Sequence, residues 1–142
     1  MSNPNLYKIR FYDADVGYEN LWAEKSSHQN DAYVIKSIPY FIYEISVDDV
    51  VKAITDEEDG VLSYAETLHH SPRRTIRVRP DSFTLEEERG QELIRQLEAF
   101  GCQTEELAPH LIAVDVPEEN TAVSVSSFLI REKLPWEWAD RN

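Results

Sequence analysis

The sequence is short of three things: sulfur, positive charge and long apolar runs. A single cysteine, Cys102, among 142 residues excludes an intrachain disulfide and any multi-cysteine metal site. Fourteen basic side chains face 27 acidic ones, a net charge of −13. Such a surface repels nucleic acid and anionic lipid and draws basic partners. The opening "MSNPNLYKIRFYDAD" has no leader-like apolar stretch and no later segment reads as a bilayer span, so a cytoplasmic protein without membrane contact is expected. Chemistry-bearing motifs are equally sparse. No Gly-rich or Walker-type loop cradles a phosphate, no Gly-x-Ser-x-Gly elbow presents a nucleophile, and no His-x-Glu or His-Glu-x-x-His spacing offers metal ligands. The expectation is a non-enzymatic protein with no cofactor and no metal.

What the chain does have is enough apolar material for a packed interior: 42% apolar residues, with three Trp, seven Tyr and five Phe. The first half reads as short strands. "LYKIRFYD" alternates with a period of two, followed by "NLWAEK", "AYVIKSI" and, after Pro39, "YFIYEISV". "VVKAIT" and "VLSYAETL" flank "DEEDG", whose Asp59-Gly60 pair predicts a hairpin turn. A small barrel or curled sheet is expected.

The second half changes period. "TIRVR" is a strand stopped by Pro80, with Ile76 and Val78 on one face and Arg77 and Arg79 on the other. "TLEEERGQELIRQLEAFG" predicts a helix with a Thr84/Glu87 capping box, three acids in its first turn, Gly101 at its stop, and Gly90 permitting a close approach to the sheet. "CQTEEL" and "LIAVDV" follow as strands, then a helix over 120–133 capped by Asn120, then "LPWEWAD". The order β-α-β-β-α-β is that of a ferredoxin-like half. The expected class is therefore α+β, with an all-β subdomain over 1–72 and a ferredoxin-like subdomain over 73–142, packed as one unit.

Several stretches in order carry a family resemblance: "LWAE" (Leu21 to Glu24), "IPYF" (Ile38 to Phe41), "DVV" (Asp49 to Val51), Thr75 and Arg77 in "TIR", "FGCQTEE" (Phe100 to Glu106) and "AVDVP" (Ala113 to Pro117). Together they resemble the uncharacterised bacterial family called domain of unknown function 4265. Ser37 stands where that pattern often has Asn, Asp48 where it often has Gly, and "SPRRT" where it has a small Gly-containing stretch. The resemblance implies no reaction; small acidic bacterial proteins of this kind look like immunity proteins for polymorphic or contact-dependent toxins.

The candidate sites divide by charge. "HHSPRRTIRVR" packs Arg73, Arg74, Arg77 and Arg79 into 11 residues, and guanidinium forks match phosphate. The alternative is that acids on neighbouring strands, Glu105, Glu106 and Glu137, answer them across the sheet, and the overall charge favours it. His69 and His70, adjacent on a strand, point to opposite faces and cannot share a metal, while His28 and His110 fall in loops. Cys102 reads as a buried thiol with its pKa raised by Glu105 and Glu106. The partner-binding candidates are the acidic hairpin tip Asp56, Glu57, Glu58 and Asp59, then Glu118 and Glu119, with Trp136 and Trp138 as core residues that become anchors if their face is uncovered. Tyr40, Phe41 and Tyr43 read as core. The expected function is neutralisation of a basic cognate toxin, preferably a nuclease, by covering its active or substrate-binding site. An anion-sensing module built on Arg73 to Arg79 is the second reading, and an enzyme with dispersed groups such as His69 or His70 the third. Oligomeric state is left open by the residues.

Overall fold

Alternation and helical period occupy different halves of the chain, and the architecture divides at the same place. The computed structural model describes residues 5–27 and 29–139, so His28 lies outside the described residues. β1 (Leu6–Asp13), β2 (Gly17–Lys25), β3 (Ala32–Ile35), β4 (Val50–Thr55) and β5 (Leu62–His69) form a closed barrel in sequential order. A parallel contact between Arg10 and Ser63 joins β1 to β5 and removes the free edges. Inward positions of the alternation carry Ile9, Phe11, Leu21, Ala23, Val51 and Ala53 into one apolar core. The same period sends Lys8, Arg10 and Tyr12 of β1, with Tyr18, Asn20 and Trp22 of β2, to the outer face, where they are register partners. The β1–β2 turn is tied by Asp13, whose Oδ1 accepts the Asp15 N–H at 2.8 Å and the Val16 N–H at 3.3 Å.

The second half is ferredoxin-like. β6 (Arg74–Val78), α1 (Glu88–Ala99), β7 (Gln103–Ala108), β8 (Leu111–Val116), α2 (Glu119–Arg131) and β9 (Trp136–Trp138) build an antiparallel sheet in the order β7-β8-β6-β9. Ile76, Val78, Ile112, Val114 and Val116 of the sheet meet Leu93, Leu97, Val125 and Leu129 of the helices. No helix among the described residues is long and apolar enough to cross a membrane.

The helix boundaries differ from expectation in instructive ways. Glu87 accepts the Thr84 N–H at 2.6 Å, half of the expected box, but α1 begins only at Glu88 and one acid sits in its first turn. α2 starts after Glu118 rather than Asn120. Both helices stop in the same way, with Cys102 N–H on Leu97 O and Leu134 N–H on Leu129 O, the signature of a left-handed closing residue. Gly101 (φ 96°) supplies it after α1, and Lys133 (φ 56°) after α2. Gly90 does permit a close approach, but to the turn before the helix and not to the sheet: an added Cβ would press into Thr84 O and Leu85 Cα.

The largest departure is "YFIYEISV", which is not a strand. Residues 36–49 run irregularly between the barrel and the helix-free face of the sheet. A segment so placed must satisfy its backbone polar groups without a ladder. Glu19 of β2 does so from one side, its Oε2 accepting the Tyr40 N–H at 2.7 Å and its Oε1 the Phe41 and Ile42 N–H groups at 3.0 Å each. Arg77 of β6 does so from the other, donating through Nη1 to Tyr40 O at 2.6 Å and through Nη2 to Ile42 O. Ser46 Oγ and Thr75 Oγ1 meet at 2.8 Å, and the Glu44 N–H reaches Ala139 O at 2.8 Å, tying the same connection to β6 and to the residue after β9.

Two outcomes follow for stability, both measurable by denaturant unfolding. Gly90→Ala should lose about 1–3 kcal/mol despite a gain of roughly 1 kcal/mol in helix propensity, because backbone rather than a flexible side chain blocks the new methyl. A stabilised variant would show that the 84–85 turn yields. Arg77→Ala should cost about 3–5 kcal/mol, and Arg77→Lys about 1–3 kcal/mol, since an ammonium cannot span both carbonyls. Wild-type stability in the lysine variant would contradict the bidentate role.

Candidate functional site

The clamp on 40–42 sets the chain just beyond it, Tyr43 and Glu44, against one mouth of the barrel. There Phe11, stacked on Tyr64 at 4.8 Å between ring centres, forms the base of a cleft of about 330 Å³. Tyr43, 40% exposed, borders it, and its hydroxyl donates to Glu137 Oε2 at 2.8 Å while the Arg77 guanidinium stands 4.8 Å from its ring centre. That hydrogen bond, the main cause, and partial burial raise the Tyr43 phenol pKa above its ordinary value. The reading of Phe41 and Tyr43 as core is thereby corrected: both are exposed, because the connection turns its apolar isoleucines inward and its rings out. Tyr40 is half-buried, and burial first, then Glu105, whose Oε2 takes its hydroxyl at 3.3 Å, pushes its pKa up to about 12.

Around this mouth runs an aromatic outer face that sequence reasoning passed over. Tyr12 and Tyr18 are 64% and 69% exposed, with ring centres 4.9 Å apart, and Trp22 lies further along β2 under the Lys8 ammonium. The signal was present in the alternation, since an aromatic on the polar face of a two-residue period has no core to enter.

The acidic tip is braced by bonds to its own backbone. The Glu58 N–H bonds Asp56 Oδ1 at 2.8 Å, the Val61 N–H bonds Asp59 Oδ1 at 3.0 Å, and the Gly60 N–H bonds Asp56 O at 2.8 Å. Asp56 and Asp59 are matched by Arg10, which also lies 5.6 Å from the Tyr18 ring centre, leaving Glu57 and Glu58 as the tip's exposed carboxylates outside any ion pair among the described residues. Glu118 is exposed before α2, and Glu119 faces Arg74 at 3.4 Å. Trp136 and Trp138 are half-buried against the core beneath the helices, edge to face at 5.3 Å, with the Arg74 guanidinium 3.7 Å from the Trp138 ring centre.

The four arginines do not converge. Arg73 bridges Asp115 at 2.8 Å and Asp48 at 3.2 Å, and Arg74 takes Glu119 and Trp138. Arg77 is wholly buried on carbonyls, and Arg79 faces Glu137 at 3.6 Å. Burial lowers the Arg77 pKa while the Glu137 carboxylate opposes that fall. Of the three acids expected to answer them only Glu137 does; Glu105 bonds Tyr40, and the partners Asp48, Asp115 and Glu119 come from elsewhere.

His69 is exposed at the end of β5, whereas His70 Nδ1 lies 3.2 Å from buried Asp49, which also accepts the Ser46 and Ser71 N–H groups. His110 bonds Pro80 O at 2.8 Å. Among the described residues no group of three or more His, Cys, Asp or Glu is placed to hold a metal ion. Cys102 is buried, and burial with Asp115, not Glu105 or Glu106, pushes its pKa up to about 11.

Asp48 has φ 71°, a left-handed backbone at the position where the resembled pattern has Gly, and its carboxylate bonds Lys36 and Arg73. Burial pushes the Asp115 carboxyl up to about 6, Asp48 adding to the rise and Arg73 opposing it. Because this folded value exceeds the unfolded one near 4, the native state binds the extra proton between pH 4 and 6. Stability from Asp115 is therefore present at the acid end of that window and lost as pH rises through 6, by about 3 kcal/mol. The difference in unfolding free energy between wild type and Asp115→Asn should change by that amount from pH 4 to 6.5. A pH-independent difference would remove the assignment.

A solved structure of a hypothetical protein from Neisseria gonorrhoeae has the same fold, with a TM-score of 0.72 and 15% identity over 99% of this chain and 96% of that one. No curated protein matches the sequence. The family model described as Domain of unknown function (DUF4265) matches residues 19–138, from the clamp on the connection through the last strand, and the chain belongs to that family.

Proposed function

We propose that this protein is a non-enzymatic binding protein, an immunity protein of the bacterial cytoplasm that neutralises a basic cognate toxin by covering its active or substrate-binding site. The observation that carries the reading is the exposed aromatic face of the barrel, Tyr12, Tyr18 and Trp22, with Tyr43 of the connection at its mouth, on a molecule of net charge −13. Large rings left in water beside carboxylates supply what a protein interface needs: rigid anchors of high contact area and a field that steers a cationic partner. Trp136 and Trp138 are engaged in the core, so the anchoring role passes to the barrel tyrosines. Glu57, Glu58 and Glu118 contribute to the field, and charge makes a nuclease, with its basic cleft, the preferred partner.

The test is co-expression with a toxin-domain reading frame adjacent to this gene. Growth should be restored and a complex should survive moderate salt. Tyr12→Ala combined with Tyr18→Ala should weaken that complex by roughly tenfold or more. Charge reversal at Glu57 and Glu58 should slow association with little change in dissociation, an effect that fades as salt rises. No rescue together with no complex would end the reading.

A further inference from the structure

The cleft at the barrel mouth has a lining of unusual chemistry for its size. Four aromatic rings, Phe11, Tyr12, Tyr43 and Tyr64, and two carboxylates, Asp13 and Glu44, border it, and no lysine or arginine does. Its one basic side chain, His70, is engaged with Asp49. Neither Asp13 nor Glu44 enters an ion pair among the described residues, whereas Asp48, Asp56, Asp59, Asp115, Glu119 and Glu137 all do. The rings are held in place: Phe11 and Tyr64 stack, the Tyr64 and Thr67 hydroxyls bond at 2.8 Å, and Tyr43 is fixed by Glu137. Glu44 is held at φ 70°, a backbone costly for a residue with a side chain, by its N–H bond to Ala139 O.

Aromatic faces carry negative potential, and a cation over them gains more as it leaves water. The Arg77 guanidinium already stands 4.8 Å from the Tyr43 ring centre, and Phe11 is stacked beneath Tyr64. The Tyr12 and Tyr64 rings, an acidic rim outside any ion pair among the described residues and a lining without lysine or arginine are nevertheless complementary to one class of group. We propose that this cleft seats a cationic side chain, the ammonium of lysine or the guanidinium of arginine, presented by the protein partner. The inference rests on the reading of the barrel as a partner surface and names what the partner must offer there. The cleft's volume of about 330 Å³ accommodates the aliphatic stem as well as the charged head.

The protein as it stands can be titrated with N-acetyl-lysine amide, N-acetyl-arginine amide and the uncharged N-acetyl-norleucine amide, following aromatic side-chain resonances by NMR. The cationic probes should shift Phe11, Tyr12, Tyr43 and Tyr64 saturably in the millimolar range, with norleucine at least roughly fivefold weaker. Tyr64→Leu keeps an apolar contact for Phe11 but removes the π face, and Glu44→Gln removes one exposed charge. Each should weaken the cationic probes by about fivefold while leaving norleucine unchanged. Equal binding of norleucine, shifts confined to other surfaces, no saturable shift, or indifference to both variants would overturn the proposal. So would a toxin complex whose affinity is unaltered by the two variants. Failure of toxin neutralisation alone, with probe binding intact, would remove the immunity reading and leave the cation site standing.

Discussion

A three-residue piece of backbone, Tyr40 to Ile42, is held between a carboxylate of the barrel and a guanidinium of the sheet, and the two halves of the molecule meet there. Glu19 takes its three N–H groups and Arg77 takes two of its carbonyls. Neither charge is spent on the other; each is neutralised by peptide dipoles of opposite sense. The arrangement meets the demand that a partly buried, non-ladder segment have its polar groups bonded, since each one left bare costs roughly 1–3 kcal/mol. It also explains a wholly buried arginine in a small protein, where an unpaired buried charge would be far more costly than any of these bonds.

From that clamp the surface chemistry follows. Ile42 and Ile45 are driven into the barrel core, and the intervening Tyr43 and Glu44 are turned outward to the barrel mouth. Tyr43 then links the two halves a second time through Glu137. The mouth is thus assembled from β1, β5 and the connection, three segments far apart in the chain.

Charge is distributed unevenly across this scaffold. Positive charge is scarce and mostly committed: Arg73 to Asp115 and Asp48, Arg74 to Glu119 and Trp138, Arg10 to the hairpin tip. The acids in excess are therefore the ones left to face solvent. A field of that sign favours encounter with cationic proteins at long range, and in the function proposed above the aromatic face would supply the short-range discrimination. Buried Asp115, with its carboxyl near 6, costs stability at neutral pH, and Arg73 offsets only part of that cost.

Patterns with a local physical origin were determined by the sequence alone. The period of two placed the barrel strands, the 3.6-residue apolar stripe placed α1, and Gly101 ended it, because each depends on neighbours a few residues away. The ferredoxin-like order and the family were legible for the same reason. Exposure of Tyr12, Tyr18 and Trp22 was legible too, had the outer face of the alternation been followed. Only the tertiary structure decided that "YFIYEISV" is a clamped connection, since β-prone residues cannot announce that Glu19 and Arg77, 58 positions apart in the numbering, will take their backbone bonds. It alone decided that the arginines are met by Asp48, Asp115 and Glu119 beside the expected Glu137, and that Phe11, Tyr43 and Tyr64 share one cleft. Those are contacts across large sequence separations, and short-range propensity carries no information about them.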